Sequence, residues 1–192
     1  KWYTSPLSYR FVNYPSRSSA SSPDSSLAQA FNDWSSVAKI DFYQTSNQKA
    51  NIQIGFYRGD HGDGDSFDGR GNVLAHAFFP QDGNLHFDDD ESWSADSSGT
   101  NLRQVAAHEI GHIIGLGHTR DSKAVMYAYY TYRNNFQLQP DDVAGVRQIY
   151  GPYFVMLLLL LLTLLLWLLW LLLEVLLLLL WLLLEVLLLL LI

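Results

Sequence analysis

Apolar residues recur along the first part of the chain at two spacings, one typical of strands and one typical of helices. Short segments in which apolar and polar side chains largely alternate predict strands at residues 7–12, 40–43, 50–56, 73–79 and 86–88. Apolar residues three and four positions apart predict helices at residues 22–37, 101–116 and 140–150. One helix, then strands, then two helices is typical of an α+β domain.

Local signals support the ends of the predicted helices and two long connections. Ser22-Pro23-Asp24 is a typical helix start, with proline at an early position and an acidic residue in the first turn. Gly151-Pro152 is a typical end for the last helix. The Gly/Asp-rich segment 57–72 and the aromatic segment 127–136 are predicted loops. A loop as long as the first is usually functional in a compact domain.

The composition changes abruptly after the last predicted helix. From Leu157 to Ile192 there are 36 residues, of which 27 are leucine. We therefore predict a globular domain at residues 1–152, of ordinary size for one hydrophobic core, followed by a leucine-rich, low-complexity tail at residues 153–192.

The tail has two interpretations. Residues 153–173 are 21 residues without a charge, which is long enough for a transmembrane helix. Against a membrane span, no Lys or Arg flanks the segment, and Glu174 and Glu185 interrupt the apolar run. The 11-residue unit that begins at Trp170 is repeated without change from Trp181, as in a translated repetitive nucleotide tract. A transmembrane segment and a translation artefact both remain open.

Charge and cysteine content narrow the classes of function. All 12 Lys and Arg residues and 17 of the 19 acidic residues lie in residues 1–152, so the domain is acidic and no nucleic-acid partner is expected. The acidic residues concentrate at residues 60–68 and 88–91, and such clusters repel themselves unless cations lie among them. The interleaved His and Gly residues favour metal binding over a solvated acidic loop. With no cysteine in the chain, neither disulfides nor thiolate metal ligands can form.

The segment from His108 to His118 carries the pattern H-E-x-x-H-x-x-G-x-x-H in every fixed position. Residues four apart share one helix face, so His108 and His112 can bind one metal ion. Gly115 can adopt the positive φ that ends a helix, which allows the chain to turn and bring His118 to the same ion. Three neutral imidazoles leave a fourth position for water, as in catalytic zinc sites.

Glu109 is the predicted catalytic residue of this motif. It lies beside the metal without binding it, takes a proton from the zinc-bound water and passes the proton to the leaving amine. The alternative is an amphipathic helix with ordinary surface or core histidines. Five fixed residues at fixed spacing make that alternative much weaker than it would be for H-E-x-x-H alone.

The chain resembles the matrix metalloproteinases, or matrixins, within the metzincins, and the resemblance covers residues 1–151. It rests on the segments KWYTSPLSYRFVNYP, FDGRGNVLAHAF, HFDDDESW and NLRQVAAHEIGHIIGLGH, with Met126 at the position of the metzincin Met-turn. The short interval from His76 to His86 is similar to that of the epilysin branch. The resemblance implies a metzincin zinc-protease fold, with a twisted, mostly parallel five-stranded sheet and three helices.

The resemblance also implies two further kinds of metal site. His61, Asp63, His76 and His86 match the ligands of a structural zinc, which three His and one Asp would enclose without room for water. A calcium site would use carboxylates and backbone carbonyls of residues that match the family's calcium loop and acidic segment. These residues are Asp68, Gly69, Gly71, Val73, Asp88 and Glu91, and Asp89 is a candidate for a further calcium site that shares Glu91. The family's other calcium loop is shortened here, with Gly83 and the carbonyl of Asn51 as candidate ligands.

The family pattern assigns substrate contacts and one terminal contact. Backbone groups near Ala75 and Ala77 would hold a peptide, and Tyr130 would wall the pocket for the side chain after the scissile bond. Ala128 stands where the family usually has proline, which puts substrate preference in doubt. In the family the freed N-terminus pairs with an Asp of the last helix, and Asp142 is the match.

The leading hypothesis is an extracellular zinc-dependent endopeptidase, stabilised by calcium, that cleaves extended matrix or secreted proteins. A catalytically silent, metal-stabilised binding module is the rival from another class, and a membrane-tethered sheddase is a third hypothesis. Family resemblance implies protein inhibitors of the tissue-inhibitor type, and a monomer is expected. Because the chain has no cysteine, it does not contain the cysteine with which a matrixin pro-domain caps the zinc.

Overall fold

A computed structural model describes residues 1–19, 22–152 and 155–190. The chain divides after Pro152 into two compact units, which are described separately.

The first unit is built on a five-stranded sheet. Its strands are β1 Leu7–Phe11, β2 Phe42–Gln44, β3 Ile52–Tyr57, β4 Ala75–Ala77 and β5 Asn84–Asp88. Their order across the sheet is β2-β1-β3-β5-β4, and all neighbours are parallel except β4, which runs antiparallel to β5. The prediction of a mostly parallel five-stranded sheet is confirmed. Its last member, β4, forms the outer edge.

Three helices accompany this sheet, as predicted: α1 Pro23–Ser35, α2 Leu102–Ile113 and α3 Pro140–Tyr150. Each begins at a side chain that caps its first turn, because the first N–H groups of a helix have no partner within it. Ser22 accepts from the N–H of Ser25, and Asn101 accepts from the N–H of Gln104. At the third start, Gln139 and Asp142 form a reciprocal capping box.

Helices α1 and α2 pack against each other and close the core on the sheet. The indole N–H of Trp34, which is fully buried on α1, donates to the carbonyl of Ala107 on α2 at 2.8 Å. Helix α2 also packs against β4 and β5. This places the predicted metal-binding helix directly behind the edge strand.

The observed boundaries differ from the predicted ones where the chain turns. The predicted helix 101–116 ends at Ile113, because Gly115 has a φ of +103° and redirects the chain. The predicted strand 73–79 is confined to β4, since Val73 precedes the ladder and Phe79 begins a turn closed by the N–H of Asp82. Two short parallel strands, β6 Trp93–Ser94 and β7 Thr100–Asn101, were not predicted, because two residues show no periodicity.

The second unit is one long helix, α4 Val155–Leu190. Its segment Leu158–Leu184 has 27 residues, a mean hydropathy of 2.6 and no burial within the protein. By length and composition it could cross a membrane.

Candidate active site

Three histidines converge at the end of α2. The Nε2 atoms of His108 and His112 are 3.2 Å apart, and the Nε2 atom of His118 lies 3.2 Å from the first and 3.1 Å from the second. Corners of a tetrahedron at about 2.0–2.1 Å from its centre are separated by about 3.3–3.4 Å, so the triangle suits zinc coordinated by three imidazoles. The structure thus brings together the three predicted ligands.

Hydrogen bonds on the far side of two rings favour the tautomer that a metal needs. Nδ1 of His108 lies 2.7 Å from the carbonyl of Val125, and Nδ1 of His112 lies 2.8 Å from the carbonyl of Leu116. A carbonyl only accepts, so each Nδ1 carries the proton and each Nε2 keeps its lone pair for an ion. Burial lowers the pKa of His108 to about 4 and also lowers the pKa of His112, which keeps both imidazoles neutral.

The turn that delivers His118 is held by the first and last parts of the domain. The indole N–H of Trp2 donates to the carbonyl of Ile113 at 2.8 Å. The hydroxyl of Tyr150 donates to the carbonyl of Ile114 and accepts from the backbone N–H of Trp2. These bonds satisfy carbonyls that the end of α2 leaves without helical partners. No pattern in the sequence indicated this role for Trp2 or Tyr150.

Glu109 lies next to the first ligand and is buried. Burial raises the pKa of its carboxyl group to about 8. A carboxyl group with a pKa near neutral can both accept and release a proton in that range, which is what a general base and acid requires.

Met126, at the predicted Met-turn, lies under α2, the helix that carries two of the predicted metal ligands. A Cβ atom on Gly111 would lie 2.1 Å from its sulfur, so only glycine allows this approach. Asp142 fixes the same turn, because its carboxylate accepts from the backbone N–H groups of Val125 and Met126 at 2.8 and 3.0 Å.

The position of Asp142 corrects one expectation. Its carboxylate also accepts from the N–H of Gln139, and it is buried among these three backbone donors. No ion pair joins it to Lys1, although the structure describes both residues. The sequence match assigned Asp142 to the N-terminus, whereas its partners are the Met-turn and the helix cap.

A second cluster contains the four residues predicted to bind a structural zinc. Oδ2 of Asp63 lies 2.8 Å from a ring nitrogen of each of the three histidines. Nδ1 of His86 lies 3.1 Å from Nε2 of His61 and 3.3 Å from Nε2 of His76. These four atoms have the spacing of a compact tetrahedron and lie within reach of one ion.

Electrostatics in this cluster favour a cation. Burial raises the pKa of Asp63, but hydrogen bonds from the N–H of Asp65 and from His76 and His86 outweigh it and hold that pKa below its usual range. Burial lowers the pKa of His86. The arrangement therefore favours an ionised Asp63 carboxylate beside the neutral imidazole of His86, which suits a zinc site.

The residues predicted to bind calcium meet at the end of β5. Asp88 is completely buried, its Oδ1 accepts from the N–H of Asp90, and its Oδ2 has no hydrogen-bond partner. Glu91 accepts from the N–H of Gly71 and from the hydroxyl of Thr100. Burial, and then the nearby charges of Asp90, Glu91 and Asp68, raise the pKa of Asp88. A buried carboxylate oxygen without a donor, surrounded by acids, fits a cation.

Within the calcium loop, Gly69 and Gly71 have φ values of +86° and +89°. Asp68 lies at the base of this loop, where its Oδ1 is 3.4 Å from the N–H of Val73. Asp89, the remaining predicted ligand, is placed differently. Its two oxygens accept from the N–H of Ser16 and from Nε of Arg58, so a side-chain cation already neutralises it.

The shortened loop brings its two candidate ligands close together. A Cβ atom on Gly83 would lie 2.2 Å from the carbonyl oxygen of Asn51. The carbonyl of Gly83 accepts from the N–H of Gln53 at 3.1 Å.

The three converging histidines lie in a cavity of about 540 Å³ between β4 and the aromatic loop. The residues that line it include those predicted to contact a substrate: Ala75, Ala77 and Tyr130, together with Ala128. On either side of β4, the N–H of Phe78 donates to the carbonyl of Asn84, and the carbonyl of Leu74 accepts from the N–H of Asp88. Both partners are residues of β5. Since bonded residues alternate along an antiparallel ladder, Ala75 and Ala77 direct their N–H and C=O groups to the outer edge.

The aromatic wall of the cavity is fastened to α2 by bonds that the sequence did not predict. The hydroxyl of Tyr130 accepts from the N–H of Asn101 at 3.0 Å. The side chain of Gln104 donates to the carbonyl of Arg133 and accepts from its N–H, at 2.7 and 3.0 Å. Tyr130 and the loop are therefore held in place although Ala128 replaces the usual proline.

Comparison with known proteins agrees with this geometry. The sequence model of the matrixin family matches residues 1–151. The chain is 45% identical over 154 residues to interstitial collagenase of Bos taurus, and 44% identical over 155 residues to stromelysin-3 of Homo sapiens. Each match covers 79% of this chain, and 33% and 32% of the respective relatives, so the chain spans about a third of their length.

Proposed function

The chain belongs to the matrixin family, and on that basis we propose that it is a zinc-dependent endopeptidase. The observation that carries the proposal is the convergence of three imidazole Nε2 atoms, 3.1–3.2 Å apart, beside a buried glutamate in an open cleft. His108, His112 and His118 would hold the catalytic zinc. When bound, zinc supplies a Lewis acid that polarises a carbonyl and activates water.

Glu109 would perform the proton transfers of the reaction. It would accept a proton from the attacking water and donate it to the amine that leaves when the peptide bond breaks. The buried position supports the donating step, because burial raises the pKa of Glu109 to about 8 and makes the protonated form accessible near neutral pH.

The substrate would bind as an added strand along β4. The outward N–H and C=O groups of Ala75 and Ala77 would pair with the peptide backbone, as in other cases of strand addition. The side chain after the scissile bond would enter the cavity walled by Tyr130, which takes an apolar group. We propose extended matrix or secreted proteins as the substrates, by analogy with the relatives.

The other two metal sites would stabilise the domain. A structural zinc at His61, Asp63, His76 and His86 would fasten the loop 57–72 to β4 and β5. Calcium would lie at Asp88, whose Oδ2 has no donor, with Glu91, Asp68 and the carbonyls of Gly69, Gly71 and Val73. Asp89 is the weakest member of this set, because Arg58 already pairs with it.

The test compares the full chain, in mild detergent, with its Glu109→Ala form on a quenched peptide that carries an apolar residue after the scissile bond. The expected result is chelator-sensitive cleavage by the unaltered chain and a loss of at least a hundred-fold in the variant, typical for a general base. Both proteins should retain two zinc ions. Zinc at full stoichiometry without cleavage would favour the silent binding module instead.

We place the protein outside the cell, as its relatives' names suggest, and propose that protein inhibitors of the tissue-inhibitor type would close the same cleft. A monomer is proposed for residues 1–152. The segment Leu158–Leu184 supports a second candidate, a membrane-tethered sheddase. Membrane association that resists carbonate extraction, and that is lost on deletion after Pro152, would support tethering. Release by carbonate would argue for a secreted enzyme.

A further inference from the structure

An exposed aromatic ring stands beside one of the metal-binding histidines. Phe79 is 55% exposed, and its ring centroid lies 5.6 Å from that of His112, with the two planes at 69°. It also lines the 540 Å³ cavity. Much of the ring surface is therefore open to a ligand in the cleft. The mechanism described above assigns no role to Phe79.

The backbone that carries this ring is held in a turn. Phe79 follows the end of β4 and begins a turn in which its carbonyl accepts from the N–H of Asp82 at 3.1 Å. The side chain of Asp82 in turn accepts from the N–H and the side-chain amide of Asn84, the first residue of β5. A side chain on such a braced turn can contact a ligand with little loss of conformational entropy.

Phe79 and the pocket walled by Tyr130 adjoin different turns of α2. The hydroxyl of Tyr130 accepts from the N–H of Asn101, and Gln104 and Val105 line the cavity. The pocket walled by Tyr130 therefore adjoins the first turn of α2. Phe79 contacts His112, in the last turn. Seven residues of helix, about 10 Å, separate Val105 from His112.

We propose that Phe79 is a specificity-determining residue that contacts the side chain immediately before the scissile bond. The inference rests on the proposed function, which puts the side chain after the scissile bond in the pocket of Tyr130. A peptide that follows β4 past the histidines must then place its preceding residue toward His112 and Phe79. An aromatic ring in this place favours a large apolar side chain, such as leucine, over alanine.

The test uses the full chain in detergent and two quenched peptides that differ only in having leucine or alanine before the scissile bond. We expect the unaltered chain to prefer leucine and Phe79→Ala to reduce the kcat/KM ratio of the two peptides about five-fold, as for an aromatic contact of ordinary strength. Phe79→Leu should keep most of the preference. Tyr43→Ala is the matched control, because Tyr43 is an aromatic residue of similar exposure, 51%, on β2 at the opposite edge of the sheet.

A ring that only covers His112 would give a different result. Phe79→Ala would then slow the cleavage of both peptides equally, through altered zinc binding, and the proposal would be overturned. Zinc content is therefore measured for each variant. If the unaltered chain cleaves neither peptide, the proposed function fails and this inference fails with it; cleavage with an unchanged ratio refutes this inference alone.

Discussion

The sulfur of Met126 occupies the space into which a Cβ atom on Gly111 would project, at a separation of 2.1 Å. Gly111 lies between His108 and His112 on α2, two of the predicted metal ligands, so the Met-turn reaches the helix backbone directly beneath them. The terminal methyl group of Met126 and the ring of Trp34 are also within 3.1 Å of the same point. The glycine within the motif is therefore a packing requirement as much as a helical position.

Gly111→Ala is expected to destabilise the domain by about 1–3 kcal/mol, the usual range for an overpacked core. Denaturant unfolding measures the effect. Gly117→Ala is the control, because a Cβ atom there meets nothing within 4 Å and the substitution should be close to neutral. Equal effects at the two positions would show that Met126 yields to the added methyl group.

Tyr150→Phe is expected to loosen the turn that carries His118. The variant loses the hydroxyl that links Trp2 N–H to the carbonyl of Ile114, and the free energy of unfolding should fall by about 1–2 kcal/mol. Compared with the unaltered chain, the variant should also release zinc faster from the catalytic site. Release from the structural site should not change, because Tyr150 makes no contact there. Tyr3→Phe is the control, since Tyr3 is 80% exposed. Unchanged zinc release in Tyr150→Phe would contradict the positioning role.

Asp63→Asn is expected to empty the structural zinc site. The substitution removes the charge of the carboxylate whose Oδ2 lies 2.8 Å from three imidazole nitrogens. Zinc content should fall from two ions per chain to one, with a lower thermal midpoint. Asp65→Asn leaves its own N–H in place to bond Asp63, so it should retain both ions. Retention of two ions by Asp63→Asn would remove Asp63 from the ligand set.

The titration of His108 should lower the stability of the domain as the pH falls from about 6.5 to about 4, whereas the raised pKa of Glu109 acts in the opposite direction over much of this range. In the folded chain, burial lowers the pKa of His108 to about 4, from 6.5 for an exposed histidine. Between these values the unfolded chain binds a proton that the folded chain does not, so acid favours unfolding, by up to about 3 kcal/mol. Urea unfolding with a chelator present, at pH 7, 6 and 5, measures the slope. His108→Gln should remove its contribution, so that acidification lowers stability less, or raises it more, than in the unaltered chain; an unchanged slope in that variant would assign the effect to other groups.

The sequence predicted the elements that are long and periodic, and it predicted which histidines converge. Helix α3 has the predicted bounds, and the two His clusters converge, the first as the motif implied and the second as the family resemblance implied. The features that could not be predicted from the sequence are contacts between residues far apart in the chain. Gln104 with Arg133, and Trp2 with Tyr150, are joined by bonds that no local pattern encodes. The buried contacts of Asp142 were missed for the same reason, because its neighbours are fixed by how α3 docks on the Met-turn.

Arg133→Ala is expected to loosen the aromatic wall of the cleft. The guanidinium donates to the carbonyls of Ser122, Lys123 and Ala124, just before the Met-turn, while the backbone of Arg133 pairs with Gln104. The residue therefore joins the wall loop to both the Met-turn and α2. Losing the guanidinium should cost about 1–3 kcal/mol, since three carbonyls lose a charged donor.

The same change should shift the substrate preference toward longer apolar side chains after the scissile bond. A wall that is no longer tied to the Met-turn can move outward, so the kcat/KM ratio for a long apolar residue over a short one should rise, with zinc content unchanged. Arg120→Ala is the control, because Arg120 is exposed on the neighbouring loop. A loss of stability with an unaltered ratio would mean that Gln104 and the Tyr130–Asn101 bond suffice to hold the wall, and that the arginine stabilises only the segment before the Met-turn.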